Sequence, residues 1–99
     1  MSSKAEWLDR VPVQNEDAAW RMVDDECIIV MPETAQATVL NPVAARIWEL
    51  MDGKRSLGQI VETIVSEYDV DSATAEKDAS DFVNELTTRG LMGYQGGAD

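Results

Sequence analysis

A chain of 99 residues, 44% of them hydrophobic, carries enough apolar material for one modest core and too little for two domains. Nineteen acids against eight bases, with no histidine, give a formal net charge of −11, a balance that repels nucleic-acid phosphates and anionic membrane surfaces. No apolar run approaches the roughly 20 residues that span a bilayer, and residues 1–7 lack the apolar centre of a signal peptide, so a cytoplasmic chain with no membrane and no nucleic-acid partner is expected.

In chain order, residues 1–17 read as an extended or mobile arm, polar overall, with Trp7, Leu8, Val11 and Val13 available for docking on the body. Residues 18–92 form the expected folded domain, and residues 93–99 a disordered tail. The domain opens with three short strands at 19–23, 27–31 and 36–40, separated by the turn signals Asp24-Asp25-Glu26 and Pro32-Glu33-Thr34. This spacing predicts an antiparallel meander. In the middle strand Cys27, Ile29 and Met31 share one face and Ile28 and Val30 the other, so both faces are apolar and one is left for the arm, a second subunit or a ligand. A single cysteine cannot close an intramolecular disulfide, and within an apolar run Cys27 reads as a small buried hydrophobe.

Three helices follow. Asn41 is placed to cap the first and Pro42 to occupy its first turn, where no N–H is needed. Val43, Ile47, Leu50 and Met51 recur at helical spacing, Ala44 and Trp48 widen the apolar face, and Asp52-Gly53 ends the helix. Ser56 and Gln59 form a capping-box pattern for the second, whose apolar face is Leu57, Ile60, Val61, Ile64, Val65 and Tyr68. Residues 69–72 break that helix and cap a third, which runs to about Arg89 with Ala75, Ala79, Phe82, Val83 and Leu86 inward. Gly90 is suited to the left-handed residue beyond its end, with Leu91 and Met92 closing over it. Together these elements predict an α+β domain, a three-stranded antiparallel N-terminal sheet followed by three helices, in a winged helix-turn-helix-like arrangement.

The chemistry-bearing residues point away from catalysis. With no histidine, no glycine-rich phosphate loop and no cysteine cluster, no catalytic residue, cofactor or metal ligand can be assigned, and the chain is not expected to be an enzyme. Eight acids lie between Glu62 and Glu85 with Lys77 as the only base. Asp78, Asp81 and Glu85 recur along one side of the third helix. Such a face is most simply a solvated one that aids solubility, and it is also able to select a basic or hydroxyl-bearing side chain.

Residues 39–57, Val-Leu-Asn-Pro-Val-Ala-Ala-Arg-Ile-Trp-Glu-Leu-Met-Asp-Gly-Lys-Arg-Ser-Leu, are followed by Ile60-Val61, Glu67-Tyr68-Asp69-Val70-Asp71, Asp78, Phe82, Leu86 and Gly90-Leu91. This ordered set, over about residues 20–92, resembles the family of the pyrroloquinoline quinone biosynthesis protein D, the PqqD-like recognition elements of ribosomally made, modified peptides. The resemblance implies a non-catalytic adaptor or peptide chaperone that binds the leader segment of a precursor peptide and presents it to a modifying enzyme, often a radical S-adenosylmethionine protein. It further implies that the leader adds as a strand beside Gln36, Ala37, Thr38, Val39 and Leu40, in a cleft whose opposing wall includes Asp78, Phe82 and Glu85. An exposed strand edge gives that mechanism a direct basis, since its unpaired N–H and C=O groups accept a further strand. Two other readings remain open at this point, a winged-helix DNA-binding regulator and a structural subunit of a partner enzyme, and the chain is compatible with a monomer or a homodimer.

Overall fold

The computed structural model describes residues 7–33 and 36–95. The elements run β1 (Pro12–Gln14), β2 (Ala19–Val23), β3 (Glu26–Met31), β4 (Gln36–Leu40), α1 (Pro42–Leu50), α2 (Leu57–Tyr68), α3 (Ser72–Thr88) and β5 (Met92–Tyr94). The expected meander is present as an antiparallel sheet in the order β2-β3-β4, and the three expected helices follow it. No helix among the described residues is long and apolar enough to cross a membrane.

Local chemistry sets the helix boundaries. The Asn41 side chain accepts the Ala44 N–H at 2.9 Å and Pro42 fills the first turn of α1. Ser56 and Gln59 close a reciprocal capping box on α2, and Asp71 accepts the Thr74 N–H at the start of α3. Beyond α3, Gly90 takes a φ of 75°, which lets its N–H reach the Thr87 carbonyl and the Leu91 N–H reach the Leu86 carbonyl at 2.9 Å. That paired closure turns Leu91 and Met92 inward, and both are buried.

One core joins these pieces. Cys27, Ile29 and Leu40 from the inner face of the sheet meet Ala45, Ile47, Trp48 and Leu50 of α1. Leu57, Ile60, Val61 and Ile64 of α2 and Ala75, Ala79, Val83 and Leu86 of α3 complete it, and no polar side chain is buried among the described residues. Trp48 is fully buried, packs edge-on against Trp20 at 6.2 Å between ring centroids, and has an indole N–H without an acceptor. Burial pushes the Cys27 thiol up from its ordinary range, with the Glu49 charge adding to it, as befits a packing residue.

The arm, expected to be extended or mobile with apolar residues able to dock on the body, is docked over its described residues, with Trp7 and Leu8 packed against the core. Pro12–Gln14 forms β1 and pairs antiparallel with β5, so residues 93 and 94, placed in the tail by sequence, are also in a sheet. The Gln95 N–H bonds the Val11 carbonyl, the Leu57 N–H bonds the Arg10 carbonyl, and the Gln14 amide donates to the Trp48 carbonyl at 2.8 Å. Arg10 lies over the Tyr94 ring, 4.8 Å from its centroid. The arm therefore clasps the ends of α1 and α3 instead of ranging free. Residues 1–6 of the arm and 96–99 of the tail lie outside the described residues.

Removing the Trp48 indole leaves a large void that the surrounding helices cannot refill, so Trp48→Ala should lower the unfolding free energy by about 3–5 kcal/mol, read from chemical denaturation. A second outcome concerns pH. The Glu67 carboxyl is held below its ordinary 4.5 by its hydrogen bonds from Arg46, which join α1 to α2. A carboxyl depressed in the folded state stabilises fully above its unfolded value and loses that contribution as pH falls through the folded value. The difference in denaturation midpoint between the wild type and Glu67→Gln should thus be constant above about pH 5 and close on acidification. A difference unchanged at pH 3 would contradict the pairing.

Candidate functional site

The sheet ends on β4, which pairs only with β3, so one side of Gln36–Leu40 is an open edge. Register fixes which groups face outward. The two-residue turn at Asp24-Asp25, with Asp24 at a φ of 58°, makes Val23 and Glu26 the closing hydrogen-bonded pair of the β2–β3 hairpin. Alternation along β3 then turns the backbone groups of Glu26, Ile28 and Val30 toward β2, and those of Cys27, Ile29 and Met31 toward Leu40, Thr38 and Gln36 of β4. What remains at the open edge is the N–H and C=O of Ala37 and of Val39. The Val39 side chain, 62% exposed, stands on the outer face of the sheet opposite Ile28, whereas Leu40 is buried in the core.

Across from this edge lies α3. At its C-terminal end the Arg89 guanidinium donates to the Thr38 hydroxyl at 2.7 Å and pairs with Glu85 at 3.5 Å, tying the helix end to the middle of β4. Phe82 is partly buried and packed against the core. Asp81 is turned to Lys77, at 3.0 Å, on an exposed part of the helix. Asp78 lies a further turn toward the helix start, where it borders a cavity of about 560 Å³ lined otherwise by Pro42, Val43, Tyr68, Val70 and Ala75, with Asn41, Ile47 and Ile64 completing it. A shallower depression of about 250 Å³ lies at the opposite end, around Gln36, Thr38 and Arg89.

Of the residues singled out in the sequence, Gln36, Ala37, Thr38 and Val39 thus share one sheet edge, and Asp78, Phe82 and Glu85 share one helix. The structure links the two sets through Thr38, Arg89 and Glu85. Leu40 lies on the same strand, but its backbone groups pair with Cys27 of β3 and its side chain is buried, so it offers nothing to the open edge. Sequence reasoning missed Arg89 as a connector, since its partner is 51 residues away. It also missed the cavity, whose only sequence signal was the apolar run of Ile64, Tyr68 and Val70 at helix-end spacing. Among the described residues no group of three or more histidine, cysteine, aspartate or glutamate side chains is placed to hold a metal ion.

A three-stranded sheet with an open final edge, backed by three helices, is the class that this geometry defines. Within it, residues 26–92 match the family described as Coenzyme PQQ synthesis protein D (PqqD), and the chain belongs to that family. Curated relatives named PqqA binding protein include one from Gluconobacter oxydans, 33% identical over 70 residues that make up 71% of each chain. Another, from Xanthomonas euvesicatoria pv. vesicatoria, is 29% identical over 68 residues, 69% of this chain and 72% of the relative. Among solved structures, TbiB1 in complex with the TbiA(beta) leader peptide aligns with a TM-score of 0.75 and 31% identity, over 88% of this chain and 99% of that one. A lasso peptide synthetase B1 complexed with the leader peptide shares the fold, with a TM-score of 0.72 and 24% identity over 83% and 96% of the two chains.

The Arg89 link is a surface contact, and Arg89→Ala should change unfolding stability by less than about 1 kcal/mol. The same variant should shift the amide resonances of Thr38 and its β4 neighbours, and an unperturbed β4 spectrum would show that the link is not populated in solution.

Proposed function

We propose that this chain is a non-catalytic adaptor that holds the leader segment of a ribosomally made precursor peptide as an added strand on β4 and presents it to a modifying enzyme. The single observation that carries the reading is the open edge of β4, where the backbone groups of Ala37 and Val39 point away from β3 and the Arg89 end of α3 lies beside Thr38. A fourth strand there satisfies both residues at once and sends alternate side chains toward the helix. The names of the curated relatives and the leader peptide bound to the TbiB1 neighbour support the same chemistry. The groove comprises Gln36, Ala37, Thr38, Val39 and Leu40 on one side and Asp78, Phe82 and Glu85 on the other. The enzyme served, a radical S-adenosylmethionine protein or another modifying catalyst, supplies the reaction; the chain itself needs no cofactor and works in the cytoplasm.

The duplex-binding alternative fares poorly on electrostatics. It sets α3, with Glu76, Asp78, Asp81 and Glu85 against Lys77, into a groove walled by phosphates.

The test is Val39→Pro. Because the Val39 N–H points away from β3, proline removes an edge donor without removing a bond of the existing ladder. Its denaturation midpoint should stay near that of the wild type while affinity for the leader segment of the precursor encoded beside the gene falls by about tenfold or more, the scale of one lost backbone hydrogen bond plus the ring's clash with an incoming strand. A folded variant with unchanged affinity, measured by calorimetric titration, would refute strand addition at β4.

A further inference from the structure

We propose that the outer face of the β2-β3-β4 sheet is the docking surface for the modifying enzyme, and that Arg21 anchors it by pairing with a carboxylate set in an apolar patch of that enzyme. The proposal rests on the adaptor reading and on strand addition at β4, and adds to them the place where the enzyme sits.

Register assembles the face. Helices cover the side of the sheet on which Cys27, Ile29 and Leu40 join the core. On the other side Arg21, Ile28 and Val39 lie across from one another in one row, and Ala19, Val30 and Ala37 in the next, with Val23 and Glu26 at the hairpin end. Ile28 and Val30 take no part in the core and stay partly exposed, while Val23 is 41% and Val39 62% exposed. Apart from Arg21 and Glu26, therefore, the face is apolar and continuous. On a chain rich in carboxylates, such a patch marks an interaction surface.

Charge and continuity select the occupant. Arg46, Arg55, Lys77 and Arg89 each pair with a carboxylate of their own chain. Arg21, like Lys54 on the α1–α2 turn, forms no ion pair among the described residues. An unpaired guanidinium amid aliphatic side chains has the composition of an interface anchor, and it calls for a carboxylate on the partner. A second copy of this chain answers that call poorly, because stacking two such faces brings together bodies of net charge −11. Continuity points the same way. Ala37 and Val39, whose backbone groups would receive the added strand, turn their side chains to this outer face, and alternate side chains of a bound peptide would join them there. Five residues along three strands make a face of roughly 17 Å by 14 Å, well short of the roughly 800 Å² that a stable interface buries on each partner. A peptide strand widens it by about 5 Å and supplies side chains of its own. The enzyme thus grips the loaded sheet more tightly than the empty one, and by linkage the peptide is held more tightly in the ternary complex.

The test measures affinity for the purified modifying enzyme encoded beside the gene, with and without the leader segment, by surface plasmon resonance on Arg21→Glu, Arg21→Lys, Val23→Lys and Lys54→Glu. Arg21, Val23 and Lys54 are exposed and lie outside the peptide groove, so every variant should bind leader as the wild type does. Arg21→Glu should weaken the enzyme complex about tenfold or more, and Arg21→Lys should recover most of that loss. Val23→Lys should weaken it severalfold by removing apolar contact, and it decides the matter should Arg21→Glu fold poorly. Saturating leader should tighten the wild-type complex severalfold. Lys54→Glu makes the same change in net charge away from the face and should leave enzyme affinity near the wild type. An enzyme affinity unchanged in Arg21→Glu, or lowered equally in Lys54→Glu, would overturn the docking face. So would an enzyme that binds the wild type in neither condition, or a wild-type dimer in sedimentation that Arg21→Glu dissociates, which would assign the face to a second copy. Strand addition is read separately, from the leader affinity of Val39→Pro, so either reading can fail while the other stands.

Discussion

The proposed function depends on the edge of β4, one of the two edge strands of the β2-β3-β4 sheet, staying open. A row of unpaired backbone groups is an invitation to any extended chain, including another copy of the same protein. Here the exposure is kept small. β4 has five residues, its free groups reduce to those of Ala37 and Val39, and the chain leaves the sheet at once through Asn41 and Pro42. Net charge does the rest, because copies carrying −11 repel one another before their edges can align. The charge thus favours a partner of opposite or neutral charge at that edge.

An open edge is useful only if the strand that owns it is held firmly, and the core is arranged around that need. Leu40 and Cys27, opposite one another in the register, anchor the β3–β4 pair against α1, while Trp48 and Ile29 fill the space behind them. The Asn41 cap fixes the angle at which α1 leaves the sheet. Arg46 then binds α1 to α2 through Glu67, and the Gly90 turn returns the chain so that β5 can pair with β1. By this sequence of contacts the N-terminal arm braces the helix ends, and its Asn15, which donates to the Gly90 carbonyl, borders the depression around Gln36, Thr38 and Arg89.

How much of this was legible in the sequence follows from the range of each interaction. Helix limits were readable because caps act within three or four residues: Asn41 to Ala44, Ser56 to Gln59, Asp71 to Thr74. The strands were readable from alternation and from the turn residues Asp24-Asp25 and Pro32-Glu33. β1 and β5 were not, because three-residue strands have no period to detect and their pairing joins Pro12 to Tyr94 across the whole chain. The candidate site divided the same way. The edge residues and the helix residues both followed from the family resemblance. The Arg89–Thr38 contact and the cavity arise only when α1, α2 and α3 meet, so no local pattern announces them. Leu40 shows the converse: it belongs to the edge strand, while its backbone pairs with Cys27 and its side chain serves the core.

The acidic surface acquires a different meaning once the groove is located. Most of the carboxylates are solvated, and several are already engaged, Asp81 with Lys77, Glu85 with Arg89, Glu67 with Arg46. Their summed field still extends over roughly 10 Å at 0.1 M salt, far enough to draw a basic peptide toward α3 before any contact forms. Short-range selection must then come from side chains, because a backbone ladder is indifferent to sequence. On the proposed reading these ranges divide the labour: the distributed charge sets how fast a peptide arrives, the β4 edge that it binds extended, and the neighbouring side chains which one stays.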